Sequence, residues 1–451
     1  MMPSKRSGDA NRGWFRRNIQ RIASVRNDFL TARRHAGTFA GLHAILSRIH
    51  RYLLGRLPWL SYRVGKLNNG VLFVGYVEAG LGLGEALRGL IGAVATTPLP
   101  FAIYPFNVGV EARFINFFMP DRYDRKGRYS VNLIYMATDQ LPAMFGTLGK
   151  YRLRGGYNIL RTYWELAEAP KEWIPNLVDI DEIWAPSVFV ANAFRGIFDG
   201  PITTIPTCVD ISCVTGPDRG RFDMAADRFY FIYSFDYFST PARKNPLGAL
   251  RAFQEAFPDQ QENVGLIIKS GGGIPEYNAI RAEISRAASD DGRIIVIDEI
   301  LSRSMMVSLL ASSDCYLSMH RSEGFGLGMA EAMALGKVVI GTNYSGNTDF
   351  LSDSTGFPIP YQLQPVRPGS YPYAEAQLWA EPDLQAAARL MRCVYGNPDE
   401  RQMRAGAGKA FVHAHYSRAS VAKLAGHRLD QILERRSARE SLSREALMKN
   451  H

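Results

Sequence analysis

The chain has 451 residues, enough for two or three domains, and 46% of them are hydrophobic, including 24 Phe and 21 Tyr, so large buried cores are within reach. Its net charge of +10 is unevenly placed: residues 1–66 hold 14 Lys/Arg against 2 Asp/Glu, a net of +12, while the remainder holds 39 against 41, a net of −2. Four cysteines without a matching His/Cys pair exclude a disulfide framework and a zinc site, no apolar leader opens the chain, and no window of about 18 apolar residues escapes charges, so a cytoplasmic protein without a spanning helix is expected.

Residues 1–66 read as a basic helical arm. From Trp14 the apolar positions Phe15, Ile19, Ile22 and Phe29 recur at helical spacing among Arg16, Arg17, Arg21 and Arg26, and Leu42 to Leu57 repeats the pattern. Two readings stand: adsorption to an anionic membrane surface, or helices packed on the body with solvated arginines. No recognition module accompanies the charge, so nucleic acid is not an expected partner.

Val71 to Val74 is a buried strand. It runs through Gly75, Gly80, Gly82 and Gly84 into a helix predicted from Ala86 to about Ala95. The spacing G-x-G-x-G, with no acid ending a strand about 20 residues on, excludes a dinucleotide fingerprint. Asn132 to Met136 is the next strand, ending at Asp139, and Tyr157 onward is another, ending at Glu165. Ligands of open α/β sheets gather at such strand ends, which makes Asp139 and Glu165 candidate cleft acids. Asp179-Ile180-Asp181 has the spacing of a metal-holding pair, but it leads straight into a strand and an N-cap at Ser187, so no metal is assigned. Residues 211–227 are rich in Gly, Pro, Asp and Arg and read as a linker. The first domain is therefore placed at 67–226 and the second at 227–414.

The second half repeats the α/β rhythm. A strand at Phe229 to Tyr233 and a helix at Pro246 to Phe257 bracket Arg243-Lys244, and the strand Leu266 to Lys269 ends on a third cation. After the strand Cys315 to Met319 comes a glycine-rich loop, His320 to Gly326, then a helix from Leu327 to Leu335, a stop at Gly336 and a strand from Val338. Strand, glycine loop and helix together aim free N–H groups and a positive dipole end at whatever lies over the loop. Glu323 lies in the loop and Glu331 in the helix, with seven residues between. Gly326 to Glu331 spans roughly 7–8 Å of helix, about the reach from a phosphate at the tip to a sugar ring beside it. Carboxylates suit hydroxyls rather than phosphates, so the pattern fits either a nucleotide diphospho-sugar site or an ordinary helix start with solvated acids. Ser345-Gly346 forms a second glycine turn, residues 362–380 read as an insertion loop, helices are predicted near 383–395 and 398–414, a long helix at 415–436, and a charged tail at 437–451.

Glu323-Gly-Phe-Gly-Leu327, followed by Glu331-Ala-Met-Ala-x-Gly336-x-x-Val339-Ile340, resembles the donor-site signature of family 4 glycosyltransferases, the retaining GT-B "group 1" enzymes; Lys337 stands where the family usually has Pro. The resemblance covers roughly residues 68–435. It implies two doubly wound Rossmann-like domains facing a cleft, with the acceptor on the first, the donor on the second, and the 415–436 helix crossing back. It also implies transfer of a hexosyl group from a nucleotide diphospho-sugar to a hydroxyl of a glycan or lipid-linked acceptor, with retention and without cofactor or metal. Glu323 then serves the transferred sugar and Glu331 the ribose. The backbone of Gly324, Phe325, Gly326 and Leu327 holds the donor with Ser345 and Gly346. Lys244, helped by Arg243 and Lys269, takes the diphosphate, and Gly80, Gly82 and Gly84 lie under the phosphates or the acceptor. Two departures stand out. The strand end Phe235-Asp236 lacks the family's usual Arg, a charge that Arg243 replaces, and no His occurs between Lys66 and Phe229, so Asp139 is placed near the reacting sugar by position alone. Envelope or exopolysaccharide synthesis, peripheral on the inner face of the membrane, is the implied setting. A nucleotide-sugar epimerase of the same architecture, or a degenerate transferase acting as a membrane-docked assembly partner, are the competing readings.

Overall fold

The computed structural model describes residues 67–80, 82–109, 117–149, 152–213, 216–272 and 275–449, with side chains to residue 438. The basic arm, and both readings placed on it, lie outside the described residues. The first domain runs β1 (Asn68–Gly75), α1 (Gly82–Val94), β2 (Phe101–Pro105), β3 (Tyr129–Tyr135), α2 (Leu141–Leu148), β4 (Tyr157–Arg161), β5 (Glu182–Ala185), α3 (Val188–Phe194) and β6 (Ile202–Thr204). Its six strands pair in parallel in the order β2-β1-β3-β4-β5-β6. The second runs β7 (Phe229–Ser234), α4 (Pro241–Lys244), α5 (Pro246–Ala256), β8 (Val264–Ser270), α6 (Asn278–Asp290), β9 (Ile294–Asp298), α7 (Arg303–Ser312), β10 (Cys315–Ser318), α8 (Leu327–Ala334), β11 (Val338–Thr342) and β12 (Phe357–Ile359). This sheet is also parallel, in the order β12-β11-β10-β7-β8-β9.

Parallel strands need crossovers, and the helices that supply them cover both faces of each sheet. That is why the central strands read as unbroken apolar runs: Val71, Leu72, Phe73 and Val74 are fully buried, as are Leu266, Ile267 and Ile268. The order of each sheet reverses at one place, between β1 and β3 in the first and between β7 and β10 in the second. Loops leaving strands on either side of such a reversal diverge and open a crevice at the carboxyl ends. The two crevices carry the segments that matter here: Gly75–Gly84 and Asp139 in one, Arg243-Lys244 and His320–Gly326 in the other.

Two expectations change. The first helix starts at Gly82 rather than Ala86, so Gly82 and Gly84 lie in its first turn. A Cβ on Gly84 would stand 2.5 Å from the Ala79 carbonyl oxygen and 2.7 Å from that of Tyr76, so glycine lets the helix press onto the preceding loop. Residues 362–380 are not one irregular loop: β13 (Tyr361–Pro365) and β14 (Leu378–Pro382) form an antiparallel hairpin. Every residue of β13 is exposed, so the strand leaves no alternation of apolar and polar residues to read. The chain ends in α9 (Leu384–Gly396), α10 (Pro398–Tyr416) and α11 (Arg418–Lys449). The last continues past Arg436 and packs Val421, Ala425, Leu429 and Ile432 against Leu87, Leu90 and Ile91 of the first domain.

Candidate active site

The second crevice is built by two loops woven together. The Arg321 N–H donates to the Arg243 carbonyl (2.7 Å), so the loop after β10 is tied to the α4 turn after β7. The Glu323 N–H donates to Ser345 Oγ (2.7 Å), and the Gly346 N–H to the Glu323 carbonyl (2.9 Å). Three non-glycine residues with positive φ surround the crevice: Thr240 (63°) and Asn245 (58°) bracket α4, and Ser345 (75°) carries the glycine turn. Such conformations cost of order 1–3 kcal/mol each and persist only where the surroundings impose them. The first domain joins in through Ser187. Its Oγ caps α3 and donates to the Gly324 carbonyl across the cleft (2.7 Å).

Electrostatics concentrate at one point. Lys244 Nζ pairs with Glu323, and an Arg243 guanidinium nitrogen lies 3.3 Å from its other oxygen. Burial pushes the Glu323 carboxyl up, but Lys244 and Arg243 outweigh it and hold the group down to about 2. Glu323 is thus an anion at any ordinary pH. Burial lowers Lys244 despite Glu323, whereas the attraction of Glu323 and Glu165 raises Arg243 over the cost of its burial. His320 is fully buried, with Nδ1 on Ser318 Oγ and Nε2 on Asn347 Oδ1, both at 2.9 Å. Burial drops it to about 4, so it is a neutral strut for the loop.

Glu331 reaches toward the same crevice from α8 and has a partner that the sequence did not reveal. Arg303, at the start of α7, lies 2.7 Å from Glu331 Oε1 and 3.3 Å from Glu85 Oε1 of α1, and also donates to the Asp210 carbonyl (2.7 Å). One guanidinium therefore links both domains and the segment between them. Burial raises Glu331, with Arg303 opposing. Nothing local marks Arg303: it is one arginine at a helix start, and its partners are distant in sequence.

Other predicted residues are placed as follows. Gly326 (φ 92°) is the N-cap of α8 and offers its first N–H groups no side-chain acceptor. Phe325 is buried against Phe350 and Tyr416. Lys269 lies not in the Glu323 cluster but among Asp236, Asp298 and Glu299; burial lowers it. Asp139 follows β3 and acts on Tyr76. The acid facing Arg243 and Lys244 from the first domain is Glu165. Gly80 is exposed and Gly82 has open space around it. Asp181 accepts the Asn158 N–H (2.8 Å), a structural use of its carboxylate. Among the described residues, no three His, Cys, Asp or Glu are grouped to hold a metal ion, and no helix is long and apolar enough to cross a membrane.

Comparison with known proteins agrees with this geometry. Residues 237–364, within the second domain, match the family model described as glycosyl transferases group 1. No curated protein sequence matches the chain. Among solved structures, sucrose-phosphate synthase from Thermosynechococcus elongatus is 13% identical with a TM-score of 0.61, covering 81% of this chain and 100% of that one. HepE of Anabaena, in complex with UDP and glucose, is 13% identical with a TM-score of 0.60, covering 80% and 99%. A glycosyltransferase from Rickettsia africae is 14% identical with a TM-score of 0.56, covering 82% and 99%. The architecture is that of GT-B glycosyltransferases: two Rossmann-like domains facing a cleft.

Proposed function

We propose that the protein is a retaining, family 4 glycosyltransferase that moves a hexosyl group from a nucleoside diphospho-sugar to a hydroxyl of a glycan or lipid-linked acceptor. The observation that carries this reading is the Arg243–Lys244–Glu323 cluster beside the open N-terminus of α8, at the reversal point of the second sheet. Without substrate, buried carboxylates neutralise the cations. An arriving diphosphate takes over Arg243, Lys244 and the helix tip, and so frees Glu323 to face the sugar. Fixed positive groups then stabilise the leaving diphosphate as its bond breaks. The bond from the anomeric carbon to the phosphate oxygen breaks, and the bond to the acceptor oxygen forms on the same face. The acceptor's proton passes to the departing phosphate, while ionised Glu323 opposes the positive charge developing on the ring. Glu331 takes the ribose hydroxyls, with Arg303 steadying one of its oxygens.

In this reading residues 67–226 serve the acceptor and 227–414 the donor. The backbone of 324–327 and the Ser345-Gly346 turn bound the sugar, and Lys269 and the Gly80–Gly84 loop lie further along the cleft. HepE was solved with UDP-glucose, which supports UDP-hexoses as the first donors to try. The test is a donor panel with acceptor glycans, followed by UDP release. Turnover is expected to survive chelator, and Lys244→Ala to cost on the order of 10²–10³-fold, about 2.7–4 kcal/mol of barrier. Strict dependence on Mg²⁺ or Mn²⁺, or no turnover with any donor, would overturn the reading.

The arm supports a site of work in envelope or exopolysaccharide synthesis at the inner face of the membrane. A net +12 on 66 residues beside a body of net −2 is what anionic lipid attracts, at about 1 kcal/mol per basic residue near the surface. Full-length protein is expected to co-sediment with anionic vesicles at low salt and to be released at high salt, and protein lacking residues 1–60 to stay in solution with its melting temperature kept. Absence of binding at every salt concentration, with a large drop in melting temperature on truncation, would make the arm a structural element.

A further inference from the structure

An acid that faces Arg243 and Lys244 from the first domain is left unused by the scheme above. Glu165 follows β4 at the carboxyl edge of the first sheet and acts on both Arg243 and Lys244. Its Oε2 accepts a hydrogen bond of 2.5 Å from the Tyr371 hydroxyl. Tyr371 comes from the other side of the cleft, between β13 and β14. Its ring packs on Trp164, with centroids 5.6 Å apart, and the Arg243 guanidinium lies 6.0 Å from its centre. Two acids, two cations and one tyrosine, drawn from both domains, thus converge on a single point.

We propose that Glu165 is a second sugar-reading carboxylate: it accepts a hydrogen bond from one hydroxyl of the transferred hexose, and Tyr371 is the positioning residue that holds it. This rests on the donor reading above. With the diphosphate on Arg243 and Lys244, the anomeric carbon is one bond beyond the phosphate oxygen. An acid facing those cations from the acceptor-side domain then borders the sugar, not the nucleotide. It cannot be a phosphate ligand, because two anions in contact repel. An ionised carboxylate is acceptor-only and needs donors on both oxygens. Tyr371 supplies one. Once the diphosphate has taken the cations, a sugar hydroxyl is the donor available to the other. The hairpin, which looked like a loop in the sequence, gains a purpose: it carries the tyrosine that fixes the acid of the opposite domain.

The test compares wild type, Glu165→Gln and Tyr371→Phe with the preferred UDP-hexose and its monodeoxy analogues. At one ring position, deleting the hydroxyl should cost wild type on the order of 10–100-fold in kcat/KM, as for a hydrogen bond to a charged group. Glu165→Gln should lose a similar factor on the parent donor and no longer distinguish it from that analogue, with Tyr371→Phe in between. UDP affinity should not fall in either variant, since neither residue is a phosphate ligand and Glu165 draws on the cations that hold the diphosphate. Variants as active as wild type, or variants that lose activity yet still discriminate every analogue as wild type does, would overturn the proposal. If wild type turns over no donor, the donor reading fails and takes this proposal with it; an active wild type with unaffected variants sinks this proposal alone. Should Glu165→Gln not fold, Tyr371→Phe removes only one oxygen and carries the same comparison.

Discussion

Glu323 and His320 sit three residues apart in one loop, yet their charges are fixed in opposite ways. Cations hold Glu323 ionised, and burial holds His320 neutral. Both groups have folded-state values below their unfolded ones, about 2 against 4.5 and about 4 against 6.5. As pH falls the unfolded chain takes up each proton first, so stability falls too. The His320 contribution is present above its unfolded value and is lost between about 6.5 and 4, and that of Glu323 between about 4.5 and 2. The difference in melting temperature between wild type and His320→Gln should therefore vary with pH across the upper window and be flat above it. Glu323→Ala leaves two buried cations facing each other and should destabilise the empty protein by about 3–5 kcal/mol. The same change removes the diphosphate's competitor. Calorimetry should find UDP bound to Glu323→Gln at least as tightly as to wild type, while turnover collapses. Weakened UDP binding with normal turnover would contradict the exchange of counter-ions.

At the level of elements, the His320–Gly326 loop and the Ser345-Gly346 turn touch backbone to backbone. A Cβ on Gly346 would stand 2.3 Å from the Gly324 carbonyl oxygen and 2.8 Å from the Phe325 nitrogen. Neither atom can swing aside, so Gly346→Ala must push the loop and Glu323 with it. Overpacking of this kind costs about 1–3 kcal/mol, and a shift of about 1 Å at the chemistry about 10²-fold in rate. A thermal melt beside a rate assay checks both; an alanine variant with native rate would mean that the turn is free to move. This loop was legible in sequence because its requirements are local: glycines where backbone crowds, helix formers behind them, acids at a fixed spacing. Of its surroundings, Glu165 was marked as a cleft acid by its place after a strand, but Arg303 and Tyr371 were not: each meets a carboxylate far off in the chain, Glu331 and Glu165 in turn. The Tyr371 hairpin was hidden for a second reason, since an exposed strand has no buried face to impose a pattern. Lys269 was picked by the rule that strand ends meet the ligand, and the acids that act on it are Asp236, Asp298 and Glu299.

For the whole molecule, the question is what keeps two domains with separate cores in one relation. Part of the answer is α11, which leaves the second domain and completes the core of the first. Its anchor is polar. Arg428 donates to both oxygens of Glu182 (2.9 and 2.7 Å), a carboxylate with no exposed surface that also receives Thr203 (2.6 Å), Trp184 (3.0 Å) and Tyr157 (3.0 Å). Burial pushes Glu182 up, but these donors, Arg428 foremost, bring it below the usual carboxylate range. With this set of donors complete, the pair is tolerated; with the cation gone, a buried anion is left, which costs about 3–5 kcal/mol. Arg428→Ala should therefore lower the melting temperature sharply. The double variant Arg428→Ala/Glu182→Gln should recover much of the loss, because the amide still hydrogen-bonds and carries no charge. Neither residue is near the cleft, so kcat of the folded fraction should be unchanged while domain opening, followed by small-angle scattering with and without UDP, becomes easier. Equal melting of Arg428→Ala and wild type would show that helix α11 is held by its apolar face alone.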